Sequence, residues 1–510
     1  MLAFFTGRDY TVLFAYLAAM VVLGAWFSRR EKTTDDFFRG GGRVPWWAAG
    51  LSIFGTGLSA ITFLAVPVSS YAGDWTKILF SIAPIFLVPI IAAVFVPFYR
   101  RLDVTTPYEY LEKRFNTATR LVASGQWMLF QILRMSINVY LPALALSAVT
   151  GMKVYECILL IGVMATIYTI LGGIEAVIWT DVVQVIVLVG GAVACLLFIF
   201  AKVEGGFAFI VSDGVREGKF AVGHSTNSSW SSLLLLAFGS AVTNFNVYAT
   251  DQQLVQRYMS TPSVRQAKAA LWTSAIGGIP IAFLFFMIGT SLWAFYSQNP
   301  AIAPENKVVF AEFIARQLPP GMAGLLVAGL FAASMSTIDS GVNSICAAAT
   351  TDFVRRFGLV RERNMLMFAR ILTLVVGTAG TGAAVVMSFH AIESMYNFFI
   401  SVLGLFGGPL AGMFVLGIFT RRCGSLGALS GAGVSAAIML FIFFNRNILP
   451  VDDMLMGLLG LVICVITGYA VGLLTGRGKQ PPRGLTIYSR DDGSTTALSE
   501  PCAAEISRRA

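Results

Sequence analysis

A run of serine and threonine residues with one carboxylate interrupts an apolar stretch between positions 331 and 344. On a helix, Ser336, Asp339 and Ser340 are three or four residues apart and therefore share one face, with Thr337 beside it. Hydroxyl and carboxylate oxygens are hard ligands that suit a small hard cation. The alternative is that the small residues pack helices together while the hydroxyls bond to their own backbone. A carboxylate inside so apolar a run favours the cation site, because a charge at membrane depth is costly.

The composition is that of an all-α membrane protein. Of the 510 residues, 56% are hydrophobic and 12% are charged, whereas an ordinary soluble domain has about 25% charged residues. The net charge of +9 lies mostly in short loops between apolar runs, so we expect no nucleic-acid partner. The chain has only two histidines, His224 and His390, and its six cysteines are scattered. Without paired histidines, a nucleophile motif or a cofactor loop, we expect that the protein is not an enzyme.

About thirteen apolar runs approach the roughly 20 residues that a spanning helix needs. They lie near 10–28, 45–71, 78–99, 119–150, 155–172, 178–202, 232–250, 269–297, 322–352, 366–388, 395–420, 425–445 and 453–475. Basic residues are concentrated in alternate loops, and we count Arg257 among these loop charges. The positive-inside rule then places the N-terminus outside and the C-terminus in the cytoplasm, which requires an odd number of spans. We expect the polar tail from 478 to 510 to be disordered.

Two of the apolar runs contain residues that interrupt a helix at mid-depth. The run 45–71 contains Gly55, Gly57, Ser59 and Thr62, and each glycine weakens a helix by about 1 kcal/mol relative to alanine. The run 232–250 contains Asn244 among other polar residues. These two runs open successive sets of five, and an odd number of spans per set inverts one set relative to the other. Interrupted helices at matching positions of two such halves point to a transporter's binding site, with kinked packing helices as the alternative.

Two further charged residues lie in or next to apolar runs. Arg134 is in the middle of the run 119–150 and needs either a protein carboxylate or a ligand anion as its partner. An internal salt bridge that holds the bundle together would satisfy it as well as a substrate would. Asp181 begins the run 178–202, where a carboxylate can cap the helix and complement its dipole. The alternative is that Asp181 is a cation ligand that faces Asp339 and Ser340 across the bundle.

Five motifs, spread in order over the first 475 residues, are similar to those of one known family. They are Asp35–Gly42, Tyr168–Gln184, Thr250–Tyr258, Ser336–Ser340 and Gly407–Gly417. The chain resembles the sodium:solute symporters, and within them the bacterial sodium/sialic acid symporter branch. The resemblance implies a LeuT-type core of two inverted five-helix repeats that alternates access under the sodium gradient. It divides the chain into a leading helix and loop (1–44), a first repeat (45–202), an extracellular loop (203–231), a second repeat (232–424), two extra helices (425–477) and the tail (478–510).

The resemblance also implies two sodium sites and a substrate pocket. The main sodium site would use Gly55, Leu58, Ala333, Ser336 and Thr337. A second site would use Asp181 with Ser336 and Ser340, and Asp339 stands where the sialic acid branch carries serine, which adds a carboxylate. The substrate pocket would include Ser59, Thr62, Arg134, Asn244 and Phe245. Departures at Gly57, Lys77 and Ser81 leave fewer polar groups for a large polyhydroxylated ligand.

We therefore expect a sodium-coupled importer of a small organic solute in the cell inner membrane, with no obligate protein partner. Arg134 favours a carboxylate, such as sialic acid, another sugar acid or a monocarboxylate. A neutral sugar is the alternative substrate. A membrane solute sensor on a transporter scaffold is the alternative of a different class, which the short tail disfavours.

Overall fold

The computed structural model describes residues 5–28, 37–38, 40–102, 104–171, 173–223, 230–304, 309–390, 395–446, 448–449, 451–475 and 484–488. Within these ranges the regular secondary structure is helical throughout. The first helices are α1 (Gly7–Ser28), α2 (Trp46–Gly57), α3 (Ala60–Ala72), α4 (Ile78–Leu102), α5 (Tyr108–Arg114), α6 (Thr117–Thr150), α7 (Val154–Leu171), α8 (Ile174–Lys202) and α9 (Gly206–Arg216).

The remaining helices run from α10 to α18. They are α10 (Trp230–Ala249), α11 (Gln252–Met259), α12 (Val264–Gln298), α13 (Val309–Arg316), α14 (Met322–Ala348), α15 (Met365–Ser388), α16 (Met395–Phe419), α17 (Ser425–Phe444) and α18 (Met456–Thr475). A π-helical segment, Ala349–Arg355, continues α14, and another, Ile91–Phe95, lies within α4.

The number of membrane spans is close to the sequence-based prediction. In the described residues, 10 helices are long and apolar enough to cross a bilayer, and the total reaches 12 if two bent pairs each count as one span. The helix α7 is a shorter apolar helix and would be the thirteenth span. The total of thirteen therefore stays a prediction.

The helix that carries the predicted cation ligands, α14, is the most enclosed of the candidate spans. It packs against α8, α6, α1, α15 and α2, and 89% of its most apolar window is buried. Such burial requires close approach, and glycines allow it. A Cβ at Gly324 would lie 2.6 Å from the backbone of Asp9, and one at Gly341 would lie 2.8 Å from the side chains of Gln131 and Met135.

The leading helix α1 caps α14 through one carboxylate. Asp9 Oδ1 accepts hydrogen bonds from the backbone N–H groups of Gly321 and Gly324, both at 2.7 Å. Its other oxygen accepts the N–H of Thr6 at 2.9 Å, which caps α1 itself. The first N–H groups of a helix have no partner inside it, and a carboxylate there also complements the helix dipole. A single residue therefore fixes the first turn of the helix on which the predicted ligands lie.

The far end of α14 is held by an ionic network. Asp352 accepts hydrogen bonds from Arg120 Nε at 2.8 Å and from Ser124 Oγ at 2.6 Å, both on α6. Glu112 on α5 joins Arg120 at 2.6 Å and Arg356 at 2.9 Å. Partial burial opposes the charge of Glu112, but hydrogen bonds from Arg120, Thr117 and Arg356 outweigh it and lower its pKa to about 2. The carboxylate therefore stays ionised at neutral pH and keeps both arginines in place.

The predicted extracellular loop and part of the tail contain ordered structure. The loop 203–231 contains the helix α9, and its Lys219 Nζ donates to the carbonyl of Tyr71 at 2.8 Å. In the tail, residues 484–488 lie against the ends of α4, α5 and α16, where Tyr110 Oη donates to the carbonyl of Leu485 at 3.1 Å. The side chain of Leu485 is buried. The expectation of a wholly disordered tail was wrong for these five residues, because an apolar side chain and backbone hydrogen bonds anchor them. The other residues from 478 to 510 lie outside the described ranges.

We expect Asp9→Ala to destabilise the protein by roughly 0.5–2 kcal/mol, the usual effect of removing a helix cap, because it leaves two buried N–H groups without a partner. Thermal unfolding of the detergent-purified protein would measure this. Thr11→Ala is the matched control on the same helix, because the exposed Thr11 bonds only to its own backbone. Equal unfolding temperatures for the two variants would contradict the capping role.

Candidate functional site

The first predicted interruption is a real bend, but the second does not lie in the middle of its run: α10 is unbroken from Trp230 to Ala249, and the chain bends only after it. The side chains of Thr243 and Asn244 bond to carbonyls one turn earlier in α10, so these polar residues do not interrupt the helix.

The pair α2 and α3 is bent by 55° at its break, and the pair formed by α10 and α11 is bent by 52°. At the first break, Leu58 leaves the helical conformation (φ −87°, ψ 74°) and Ser59 is extended. At the second, the side chain of Asp251 caps α11 by accepting the N–H of Gln253 at 2.9 Å. Glycines weaken the first helix locally, whereas a capping carboxylate starts a new helix at the second.

A cavity of about 160 Å³ lies beside the two breaks. Four of the five predicted substrate residues line it: Ser59, Thr62, Arg134 and Asn244. The rest of the wall is mainly apolar and includes Phe54, Phe80, Tyr248, Tyr396 and Phe399. A few polar groups in an apolar wall are typical of small-molecule sites. Gly57 and Ser81 also line the cavity, so two of the three departures that we noted in the sequence lie where they would affect a ligand.

The fifth predicted substrate residue, Phe245, is not among the residues that line the cavity. Its ring packs edge-on against Phe95 on α4, with 5.4 Å between the ring centroids. On a helix, successive residues point in different directions, so Asn244 and Phe245 cannot share one face. A direct substrate contact for Phe245 would require a rearrangement of α4 and α10.

Arg134 on α6 has both a protein partner and access to the cavity. Its Nη1 donates to Gln253 Oε1 at 3.1 Å and lies 3.4 Å from Asp251 Oδ2. Its Nη2 donates to the carbonyl of Thr56, next to the first break, at 3.2 Å. The Nε–H is buried and has no partner among the described residues. An unsatisfied guanidinium donor in a cavity wall is suited to a ligand oxygen.

The predicted second cation site is assembled around Asp181 on α8. Ser336 Oγ on α14 donates to Asp181 Oδ1 at 2.5 Å, and the hydroxyl of Ser52 on α2 donates to Asp181 Oδ2. The guanidinium of Arg257 on α11 lies 3.1 Å from the same Oδ2 and also donates to the hydroxyl of Ser340. Four helices thus meet at one buried carboxylate. The expectation that Asp181 begins and caps a helix was wrong, because α8 begins at Ile174, and the oxygens of Asp181 bind side chains from other helices.

The residues of the predicted main sodium site lie next to this cluster. Thr56 Oγ1 and Ser340 Oγ are 3.4 Å apart, which brings the break in α2 against α14. A Cβ on Gly55 would lie 3.8 Å from the Cβ of Asp181. Leu58 ends the helix there, so the hydrogen-bond ladder is interrupted near its carbonyl. On α14, Thr337 Oγ1 donates to the carbonyl of Ala333 at 3.2 Å. These two predicted sodium ligands therefore bond to each other within one helix.

Asp339 is fully buried on α14 beside these groups. Its Oδ1 accepts the N–H of Ser340 at 2.6 Å. The hydroxyl of Tyr16 on α1 lies next to Gln184 of α8 and within electrostatic reach of Asp339 and Asp181. Neither Tyr16 nor Gln184 makes a well-formed side-chain hydrogen bond to the described residues. This region therefore has oxygen atoms with spare capacity to bind a cation or a water.

The sequence analysis misplaced one residue of the site. We counted Arg257 as a loop charge, but its side chain is 0% exposed and lies in the Asp181 cluster. Arg257 could have been found from its place in the motif Thr250–Tyr258, where it lies one helical turn beyond Gln253. It was missed because this segment is too short to be recognised as part of a span. Ser52 and Thr56 were missed as well, although each lies one turn before a residue that we did name.

Comparisons with known proteins agree with this arrangement. The model of the sodium:solute symporter family matches residues 37–434. The chain belongs to this family. It is 38% identical over 469 residues to the sodium/sialic acid symporter NanT of Aliivibrio fischeri, which covers 90% of this chain and 92% of that relative. It is 31% identical over 458 residues to the human sodium-coupled monocarboxylate transporter 1, with 87% of this chain and 74% of the relative covered.

A solved structure of a Na⁺-coupled sialic acid symporter, in a substrate-bound outward-open state, has the same architecture. It matches with a TM-score of 0.85 and 37% identity, over 93% of this chain and 99% of the other. These findings confirm the family resemblance, the LeuT-type helical fold, and sodium as the coupling ion. The protein is a multi-pass membrane symporter whose relatives are transporters. The individual site residues and the repeat boundaries stay predictions.

We expect Ser336→Ala to raise the sodium concentration for half-maximal uptake, because Ser336 belongs to both predicted cation sites. Loss of one charge-assisted contact worth about 1.5–3 kcal/mol corresponds to a rise of at least roughly tenfold. Ser334→Ala is the matched control on the same helix, because the hydroxyl of Ser334 bonds to the backbone of Asn138 instead. An unchanged sodium requirement in Ser336→Ala would mean that the ion sites lie elsewhere.

Proposed function

We propose that the protein imports a small organic carboxylate together with sodium, and that Arg134 binds the carboxylate group. The observation that carries this proposal is the guanidinium of Arg134 in the cavity wall, with an Nε–H that no described residue satisfies. Planar guanidinium groups bind carboxylates through paired hydrogen bonds. Asn244 and the hydroxyls of Ser59 and Thr62 supply further polar contacts in the same cavity.

The names of two relatives support a carboxylate substrate, because sialic acid and monocarboxylates both carry this group. The cavity volume of about 160 Å³ is below the roughly 300–1,000 Å³ that holds a drug-sized ligand. Gly57 and Ser81 contribute little hydrogen bonding to its wall. We therefore favour a compact carboxylate, with sialic acid itself requiring that the aromatic walls from α4 and α16 move apart.

Sodium supplies the driving force in this proposal. One sodium ion moving inward through about 100 mV provides roughly 2.3 kcal/mol, and its concentration gradient adds to this. We propose that Gly55, Leu58, Ala333, Ser336 and Thr337 hold one ion, and that Asp181, Asp339, Ser336 and Ser340 hold another. From the loop charges we also propose an N-terminus outside and a C-terminus in the cytoplasm of the inner membrane. No obligate protein partner is needed for this cycle.

Uptake into proteoliposomes tests the proposal. An inward sodium gradient is imposed, with potassium as the control, and sialic acid, lactate, pyruvate, glucose and galactose are offered in turn. Sodium-dependent accumulation of one of the acids supports the proposal. Accumulation of a sugar alone would favour the neutral substrate, and sodium-dependent binding without uptake would favour a sensor.

We expect Arg134→Ala to reduce uptake of a carboxylate by at least roughly tenfold, because a hydrogen bond to a charged group is worth about 1.5–3 kcal/mol. Uptake of a neutral sugar, if the protein carries one, should be spared. The double variant Arg134→Ala/Asp251→Asn controls for the carboxylate that the single change leaves without its arginine. Normal carboxylate uptake by either variant would rule out the assigned role.

We expect Asp339→Ser to change the number of sodium ions that enter with each substrate or the pH dependence of uptake, because it removes a carboxylate from the predicted second site. Parallel uptake of radioactive sodium and substrate gives this ratio directly, and its repetition at several pH values gives the pH profile. Asp339→Asn, which keeps the shape of the side chain, should have the same effect. A ratio and a pH profile that neither change alters would make Asp339 a structural residue.

A further inference from the structure

The predicted second sodium site holds a positively charged side chain in this structure. The guanidinium of Arg257 lies 3.1 Å from Asp181 Oδ2, and its Nε donates to Ser52 Oγ at 2.7 Å. It also donates to the hydroxyl of Ser340. Both partners of this ion pair are 0% exposed, so water does not screen the interaction. Arg257 therefore provides the positive charge that the buried Asp181 requires.

A sodium ion at the second site would compete with the guanidinium for Asp181 Oδ2 and Ser340 Oγ. Its proposed ligands include Asp181 and Ser340, which are the groups that the guanidinium contacts. Two cations that share one buried carboxylate repel each other strongly, because the surroundings have a low dielectric constant. Arginine stays protonated in proteins, so Arg257 cannot avoid this conflict by losing its charge. Binding of sodium to Asp181 therefore requires the guanidinium to move.

The helix that carries Arg257 also contacts the substrate cavity. Arg257 Nη1 donates to the carbonyl of Gln253 at 2.9 Å. The side chain of Gln253 accepts a hydrogen bond from Arg134 at 3.1 Å, and Asp251 at the start of the same helix lies 3.4 Å from Arg134. The eight-residue helix α11 therefore joins the arginine of the ion site to the arginine of the cavity.

We propose that Arg257 is an internal counter-ion that occupies the second cation site until sodium displaces it, and that α11 transmits this displacement to Arg134. The inference rests on the proposed function, because it assumes that sodium binds at Asp181. In the absence of sodium, Arg257 stabilises Asp181 and keeps α11 against α2. When sodium replaces it, α11 is released, and the hold of Asp251 and Gln253 on Arg134 loosens. Arg134 then becomes free to bind the substrate.

The test compares sodium-induced thermal stabilisation of the full-length wild type and Arg257→Gln in detergent, with sodium replaced by potassium at constant ionic strength. Without Arg257, no guanidinium competes with sodium for Asp181. We expect the variant to unfold at a lower temperature in potassium and to recover in sodium. We expect its half-maximal sodium concentration to fall by roughly tenfold, which corresponds to about 1.4 kcal/mol. The double variant Asp181→Asn/Arg257→Gln should lose this gain.

A second measurement separates a coupling role from a structural one. Binding of the transported acid should depend less on sodium in Arg257→Gln than in the wild type, because Arg134 is already released. If Arg257→Gln cannot be purified, Arg257→Lys serves instead, since it keeps the charge but not the planar set of donors. Its half-maximal sodium concentration should also fall, by less than tenfold.

A half-maximal sodium concentration that is unchanged or higher in the variant, with the wild-type response intact, would overturn the counter-ion role alone. If neither protein responds to sodium over potassium and the wild type shows no sodium-dependent uptake, both this inference and the proposed function fail. Exposed Arg316, which pairs with Glu312 at 3.2 Å, provides the matched control: Arg316→Gln removes an arginine from a surface salt bridge and should leave the sodium response unchanged.

Discussion

Charges buried in an apolar bundle must be paired, and this requirement organises the interior of the protein. Two arginines from different helices, Arg134 and Arg257, lie in the centre with two carboxylates, Asp251 and Asp181. Breaking a buried pair by removing one partner typically costs about 3–5 kcal/mol. A cycle that left any of these groups unpaired would therefore be slow. In the cycle that we propose, these groups exchange partners, and sodium and the carboxylate of the substrate replace the two protein charges.

The helix α11 contacts both buried ion pairs. It supplies Asp251 and Gln253 to the cavity side and Arg257 to the ion side, and its whole length is buried. A short helix has few backbone hydrogen bonds of its own, so its position depends on the side chains that hold it. The bend before it separates it mechanically from α10, which carries Asn244. Both halves of the second broken span contact the cavity, through Asn244 of α10 and Leu254 of α11, and α11 also carries Arg257 to the Asp181 cluster.

The sequence predicted the helical class, the break in the run 45–71, the polar face of α14 and the cavity position of Arg134. These succeed because each depends on a local signal: an apolar run, a pair of glycines, a three- and four-residue spacing, or a charge where none is expected. Arg257 was misassigned because the positive-inside rule counts any arginine near the end of a span, and it cannot detect a buried carboxylate 76 positions away along the chain. The position of Phe245 and the anchored residues 484–488 likewise depend on contacts between distant segments, which a single sequence does not contain.

The cap that Asp9 places on α14 ties the first helix to the five-plus-five core. The five-plus-five core is often regarded as a self-contained unit to which other helices are added. In this protein, the backbone that begins α14 donates two of its hydrogen bonds to a residue outside that unit. A core excised or grafted without α1 would begin α14 with a frayed turn, three to four turns away from Ser336. Modular redesign of the fold would therefore have to treat eleven helices, not ten, as its smallest working unit.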